Sequence, residues 1–324
     1  MKIRTGSFLK ILILIFVLVL SFCVSLFFGA ETPTFFLIRY LRLPRSVLVL
    51  LSGALLAGSG AVFQMFFRNP LAEPGLLGIS SGATLGAVSS ACFGGFSFLG
   101  GFVSSINISA FLGAFLSGLV LAFISSASTF GKRVSSVVLL LCGTALGTFY
   151  SSVSSMIMLM HNKELYGIYS WLLGSFNGRG INELKFVIIP AVLAFVLMAL
   201  ILNPLDLLNG GEENARNLGV NVSLLRIFVI GAGSLAVSVA VCAGGTISFV
   251  GLVAPHIMRR VFSSKSKTLV WTSALGGASL LLVADTIARI VMKPGELPCG
   301  IITSFIGVPF FIMLIFQKKG GRNE

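Results

Sequence analysis

Between Glu73 and Lys132 the chain carries no Asp, Glu, Lys or Arg, and shorter charge-free apolar runs recur along the rest of it. Such runs have no place in a water-soluble globule, in which about a quarter of residues are charged. Here 10% are charged and 56% hydrophobic over 324 residues, with a mean hydropathy of +1.02. A helix needs about 20 apolar residues to cross the hydrocarbon layer, whereas barrel strands show alternating segments of about ten. The runs are long and continuous, so the expected fold is all-α: a polytopic membrane protein of about ten transmembrane helices in a single domain, residues 1–324.

The runs place spans near 8–29, 45–66, 77–95, 106–127, 134–160, 183–202, 224–244, 247–261, 269–291 and 300–316. Ten crossings put both termini on one side. With the N-terminus inside, the inner loops hold 15 of the 23 Lys and Arg, among them Lys132, Arg133, Arg259 and Arg260. That bias predicts cytoplasmic N- and C-termini, and it accounts for the formal charge of +13 without invoking nucleic acid. Lys2, Arg4 and Lys10 ahead of an apolar stretch resemble a signal peptide. Cleavage after Ala30 would need a small residue where Phe28 stands, and a lipid anchor at Cys23 meets bulky Phe22, so the segment reads as a retained first span.

The residues that break the charge bias are informative. Arg39, Arg42 and Arg45 cluster on the outer side at the mouth of the second span. Two readings stand: snorkelling to lipid headgroups, or a basic landing surface for an acidic partner. Asp285 and Arg289 are opposite charges inside one span and lie i, i+4 apart, so they can pair on one helix face. Gly78, Gly82 and Gly86, and likewise Gly143 and Gly147, recur every four residues and predict close helix packing. The longest polar interruption, within 203–226, lies inside and contains Ala215 and Leu218 as the apolar edge of a short helix; 204–226 is expected to be a cytoplasmic docking segment.

Catalytic chemistry finds no footing. No GxxxxGK[ST] phosphate loop occurs, so ATP binding is not expected in this chain. The five Cys show no CxxC pair and the two His no HExxH spacing, so neither a metal site nor a catalytic residue is expected. His256, after Pro255, reads as a structural hydrogen-bonder. Met156, Met158 and Met160 diverge around a helix and do not line one face. A lone ion-coupled secondary transporter using Asp285 is the alternative from another class.

Three segments together go beyond composition: RLPRSVLVLLSGALLAGSGAVFQMFFRNPLAEPGLLGISSGA at 42–83, GEENARNLG at 211–219, and GGTISFVGLVAPHIMRR at 244–260, followed by ADTIAR at 284–289 and ELPCGIITSFIGVPFFI at 296–312. Over nearly the whole chain this resembles the FecCD-like permease family of type II ABC importers for iron-siderophore complexes, heme and cobalamin.

The resemblance implies a ten-helix, cobalamin-permease-like subunit in a bacterial cytoplasmic membrane, forming a homodimer or a heterodimer with a related permease. It implies two cytoplasmic ATPase subunits that use ATP and Mg, an extracytoplasmic substrate-binding protein, no cofactor in this chain and no nucleic acid. Arg42, Arg45 and Arg289 would dock the binding protein. Asn69 and Leu71, with Ser135 and Ser136, would form the cytoplasmic gate. Glu212, Ala215, Arg216, Leu218 and Gly219 would contact the ATPase. The expected cargo is an iron chelate, siderophore or heme, with cobalamin as the alternative.

Overall fold

The computed structural model describes residues 5–29, 32–94, 103–127, 136–161, 165–293 and 295–320. They fold into helices α1 (Thr5–Phe27), α2 (Leu43–Phe66), α3 (Ile79–Phe93), α4 (Ser105–Ala127), α5 (Ser136–Met160), α6 (Leu165–Leu172), α7 (Ile181–Asn209), α8 (Glu212–Asn217), α9 (Val222–Gly244), α10 (Val250–Val261), α11 (Ser266–Val291) and α12 (Cys299–Gly320). Each expected span has its helix. The short α6 was not foreseen, and α7 runs seven residues past its expected end, through Pro204.

Among the described residues, seven helices are long and apolar enough to cross a membrane. Helix α10 is not one of them. Its 12 residues rise about 18 Å, against a hydrocarbon core of about 30 Å. Residues 245–249, between α9 and α10, are non-helical. In a membrane, non-helical backbone survives only inside protein or beside a wet cavity. Phe249 opens α10 in the left-handed conformation (φ 68°), and its N–H is taken by Glu73 Oε1 at 2.7 Å. Glu73 itself stands in a second irregular stretch, between α2 and α3. The two helix breaks thus satisfy one another, and Glu73, Ser80, Thr246 and Ser248 line a cavity of about 300 Å³ there.

Helices α2 and α9 form the centre, buried along most of their length, with α11 packed on α2 and α4 and α7 on α9. Lipid offers no hydrophobic drive for helix association, so close backbone approach through small residues supplies the packing. A Cβ on Gly53 would fall 2.5 Å from the Gly277 carbonyl of α11, and one on Gly60 would fall 2.0 Å from that of Gly251 on α10. The expected glycine rows divide between two partners. Gly82 and Gly86 face Ser109, Gly113 and Ser117 on α4, whereas Gly78, before α3, meets Gly143 and Gly147 on α5.

Helix α1 is mostly open to the surroundings but tied down at both ends. Lys10 Nζ donates to the Val261 carbonyl at 2.8 Å, and Ser25 Oγ meets Ser46 Oγ at 2.7 Å.

Candidate functional site

At one end of the bundle a π-helical turn, Leu37–Arg42, leads into α2. It sorts the three clustered arginines. Arg39 points outward, over the rings of Phe35 and Tyr40 at 5.9 and 5.8 Å, as a snorkelling residue does. Arg42 and Arg45 turn inward and are 6% and 9% exposed; Arg289 on α11 is 3% exposed. Arg45 Nη2 binds Asp285 Oδ1 at 2.8 Å, its Nη1 binds Glu296 Oε2 at 2.7 Å, and Arg289 Nε lies 3.1 Å from Asp285 Oδ2. The expected Asp285–Arg289 pair is present, but Arg45 joins it from 240 residues away. No local pattern announces that partner.

The cluster closes the ends of α1, α2 and α11 together. Arg42 Nη1 donates to the carbonyls of Leu26 and Phe27 at 2.9 and 3.0 Å. Arg289 Nη2 donates to the Ser25 carbonyl at 3.0 Å. These are the free carbonyls of the α1 C-terminus, so arginines serve both as caps and as ion partners. Above them lies a cavity of about 480 Å³ whose lining includes Arg42, Arg45, Arg179, Arg289 and Glu296. Arg179 was not singled out in the sequence. Burial pulls its guanidinium below the ordinary arginine range, partly offset by Glu183.

At the opposite end the Asn-Pro-Leu turn is built by its own first residue. Asn69 Oδ1 accepts the Leu71 N–H at 3.0 Å, and its carbonyl accepts from Ala72 at 3.0 Å. Arg68, at φ 49°, donates to the Leu208 carbonyl, joining this turn to the end of α7. Gln64 Nε2 donates to the Gly251 carbonyl at 3.2 Å, and its Oε1 accepts from Arg259 at 3.1 Å. Helix α10 is therefore bonded to α2 as well as to Glu73. Ser136 is the first residue of α5; Ser135 lies outside the described residues.

The polar segment 204–226 holds the end of α7 and the one-and-a-half-turn α8. Ala215 is fully buried on the bundle side, whereas Leu218 is 66% exposed. Glu212 faces Arg216 at 3.9 Å and Arg226 at 4.0 Å. Gly219 follows at φ 84° with open space beside it. The two halves of the expected contact set therefore differ: Ala215 anchors the segment, and Glu212, Arg216 and Leu218 present it.

His256 departs from expectation. Among the described residues neither ring nitrogen makes a hydrogen bond, and the ring packs edge-on against Phe310, centroids 5.7 Å apart.

A further feature lay unremarked in the sequence. Thr144, Thr148, Ser151, Ser152 and Ser155 share one exposed face of α5 over three turns, with exposed Leu141 and Leu159 above and below. Thr144, Thr148, Ser152 and Ser155 each donate to a carbonyl one turn back in α5. Each hydroxyl keeps acceptor capacity for water. A row of small hydroxyl residues suits a helix–helix contact or a wet path better than bulk lipid, and its i, i+4 spacing was there to be read.

The chain matches the model of the FecCD transport family over residues 5–317. It is 36% identical to the Fe(3+)-citrate import system permease protein of Bacillus subtilis over 287 residues, 89% of this chain and 84% of that one. It is 34% identical to the cobalamin import system permease protein of Halobacterium salinarum over 303 residues, 93% and 79% of the two chains. In three dimensions it is similar to an inward-facing structure assigned to the metal-chelate type of ABC transporter. The TM-score is 0.84 at 32% identity, covering 95% of this chain and 99% of the other.

Proposed function

Since this chain belongs to the FecCD transport family, and is thereby a multi-pass membrane permease of the ABC-importer kind, we propose that it conducts an iron chelate into the bacterial cytoplasm, with both termini inside. The observation that carries conduction is the hydroxyl face of α5. A second permease copy, or a close relative, set against that face would enclose a wet path bounded by Leu141 and Leu159. A bulky chelate needs width and weak, replaceable hydrogen bonds rather than tight coordination. Iron chelate is favoured over cobalamin as cargo by the prevalence of iron systems in the family, and the similar iron-citrate permease agrees with it.

Two surfaces serve the partners, and a turn serves as the gate. The end carrying Arg42, Arg45 and Arg289 receives a substrate-binding protein through charge complementarity. Because all three are buried and bonded, they act as the positive floor of the cavity rather than as free arms. At the other end the Asn69–Leu71 turn, with Ser135 and Ser136, closes the path. Glu212, Arg216, Leu218 and Gly219, anchored by Ala215, meet a separate ATPase subunit. ATP binding there shifts the population between closed and open gates. The bonds from Arg68 to α7 and from Glu73 and Gln64 to α10 give that shift a physical route.

A lone ion-coupled carrier is disfavoured by Asp285, whose two oxygens are each engaged by a guanidinium. Uptake of ferric chelate into cells decides between the two. Deleting the ATPase partner abolishes ATP-driven import and leaves an ion-coupled carrier working; an ionophore does the reverse.

A further inference from the structure

Four guanidinium groups, those of Arg42, Arg45, Arg179 and Arg289, line the cavity above the arginine cluster together with one carboxylate, Glu296. Asp285 beneath them supplies the second acid and Glu183, acting on Arg179, the third, so the site keeps a net charge of plus one. Three of the arginines have partners, described above. Arg179 differs: its Nε is buried without a hydrogen-bond partner, and among the described residues it forms no ion pair. Glu183 offsets its charge only in part, so the half-buried Arg179 keeps capacity for a further anion.

The segment that holds Arg179 there is built rather than loose. Gly174 and Gly178 adopt left-handed conformations (φ 72° and 69°). Phe176 between them is fully buried, with its ring against Gly244, where a Cβ would fall 2.4 Å from it. The Gly174 carbonyl accepts from Gly300 N at 3.1 Å, and the Arg179 N–H donates to the Phe176 carbonyl at 3.1 Å. Arg179 is thus presented into the cavity by a fixed turn.

The two acids are not equivalent either. Asp285 sits on a helix with its side chain 2% exposed between two guanidinium groups, whereas Glu296 lies in the α11–α12 connection with 19% exposed and holds only Arg45. We propose that the cavity seats one carboxylate side chain of the delivering partner, with Arg179 as its waiting counter-charge and Glu296 as the anion it displaces from Arg45. This rests on the docking reading above and adds to it a fourth arginine and an exchange. Swapping one carboxylate for another on Arg45 is nearly balanced, so the incompletely offset charge of Arg179 supplies the net attraction. It also gives docking a mechanical consequence: Glu296 moves out, and with it the connection into α12.

The test uses the assembled transporter in phosphatidylcholine nanodiscs and the substrate-binding protein that co-purifies with it from native membranes. Arg179→Gln is expected to weaken binding about tenfold or more and to flatten its salt dependence, and Arg179→Lys to restore most of the affinity. Glu296→Gln removes the competing anion and is expected to tighten binding; weaker binding in that variant overturns the exchange. If Arg179→Gln binds as the parent does while Arg42→Gln loses affinity, docking stands and this inference falls. If neither variant changes affinity, both fall. An effect of Arg179→Gln confined to retention on phosphatidylglycerol vesicles would make the cavity a lipid site and likewise overturn the inference.

Discussion

Asp285 shows how much one side chain can hold. It ties Arg45 of α2 to Arg289 of its own helix in a site where all three side chains are largely buried. Breaking a buried pair by removing one partner leaves the other charge stranded and costs about 3–5 kcal/mol. Asp285→Asn is expected to lower the thermal unfolding temperature of the detergent-solubilised protein on that scale; an unchanged transition would show the cluster to be dispensable. The same geometry governs how docking is probed. Reversing Arg45 to Glu would set three acids together and damage the fold, so neutral replacements at Arg42 and Arg179 are the informative ones. Glu73 offers a second residue-scale check. Glu73→Ala leaves the part-buried Phe249 N–H without its acceptor and should cost about 1 kcal/mol, while Glu73→Gln keeps an acceptor and should be tolerated. Equal stability of the two variants, read by the same melt, would remove the hydrogen bond from the account. Of these pairings only Asp285–Arg289 was legible beforehand. A charge-free run announces a span, and i, i+4 spacing announced the Asp285–Arg289 pair. Partners 240 and 176 positions apart in sequence, Arg45–Asp285 and Phe249–Glu73, are set by how helices pack.

At the scale of the element, the ten spans were readable because lipid forces backbone polar groups to pair inside each helix. What escaped were the departures from that rule. The π-helical turn that aims Arg42 and Arg45 inward has no composition of its own. Helix α6 is eight residues long and too short for a hydropathy signal. The shortness of α10 follows from the Gly245–Phe249 break rather than from its apolar content. The segment carrying α8 was foreseen as a short helix with an apolar edge; Ala215 is buried, whereas Leu218 at its C-cap is exposed. Gly219 ends it in a left-handed conformation, where a β-branched residue is strained by about 1–2 kcal/mol. With open space beside it, Gly219→Val should leave the bundle intact but displace the presented surface. The expected outcome is ATP hydrolysis without import in reconstituted vesicles; coupled transport at the parental rate would contradict the assignment of this segment.

At the scale of the molecule, the account makes this chain one wall of a path that a second permease completes. The hydroxyl face of α5 should then be wet in the assembled transporter. Thr148→Cys is expected to react with a charged, membrane-impermeant thiol reagent and to be protected while chelate is in transit. Phe149→Cys, on the adjoining apolar face, is expected to react at least tenfold more slowly, since hydrocarbon excludes both the reagent and the thiolate. Equal labelling of the two would deny α5 its place on the path. The central claim, a permease driven by separate ATPase subunits and loaded from outside, is tested most directly by recovering the chain from native membranes in mild detergent and measuring what accompanies it, and in what ratio. The account predicts an ATPase with a phosphate-loop motif at one copy per permease, two permeases per particle, and a substrate-binding protein that associates with them. A chain recovered alone that still drives uptake on an ion gradient would contradict it.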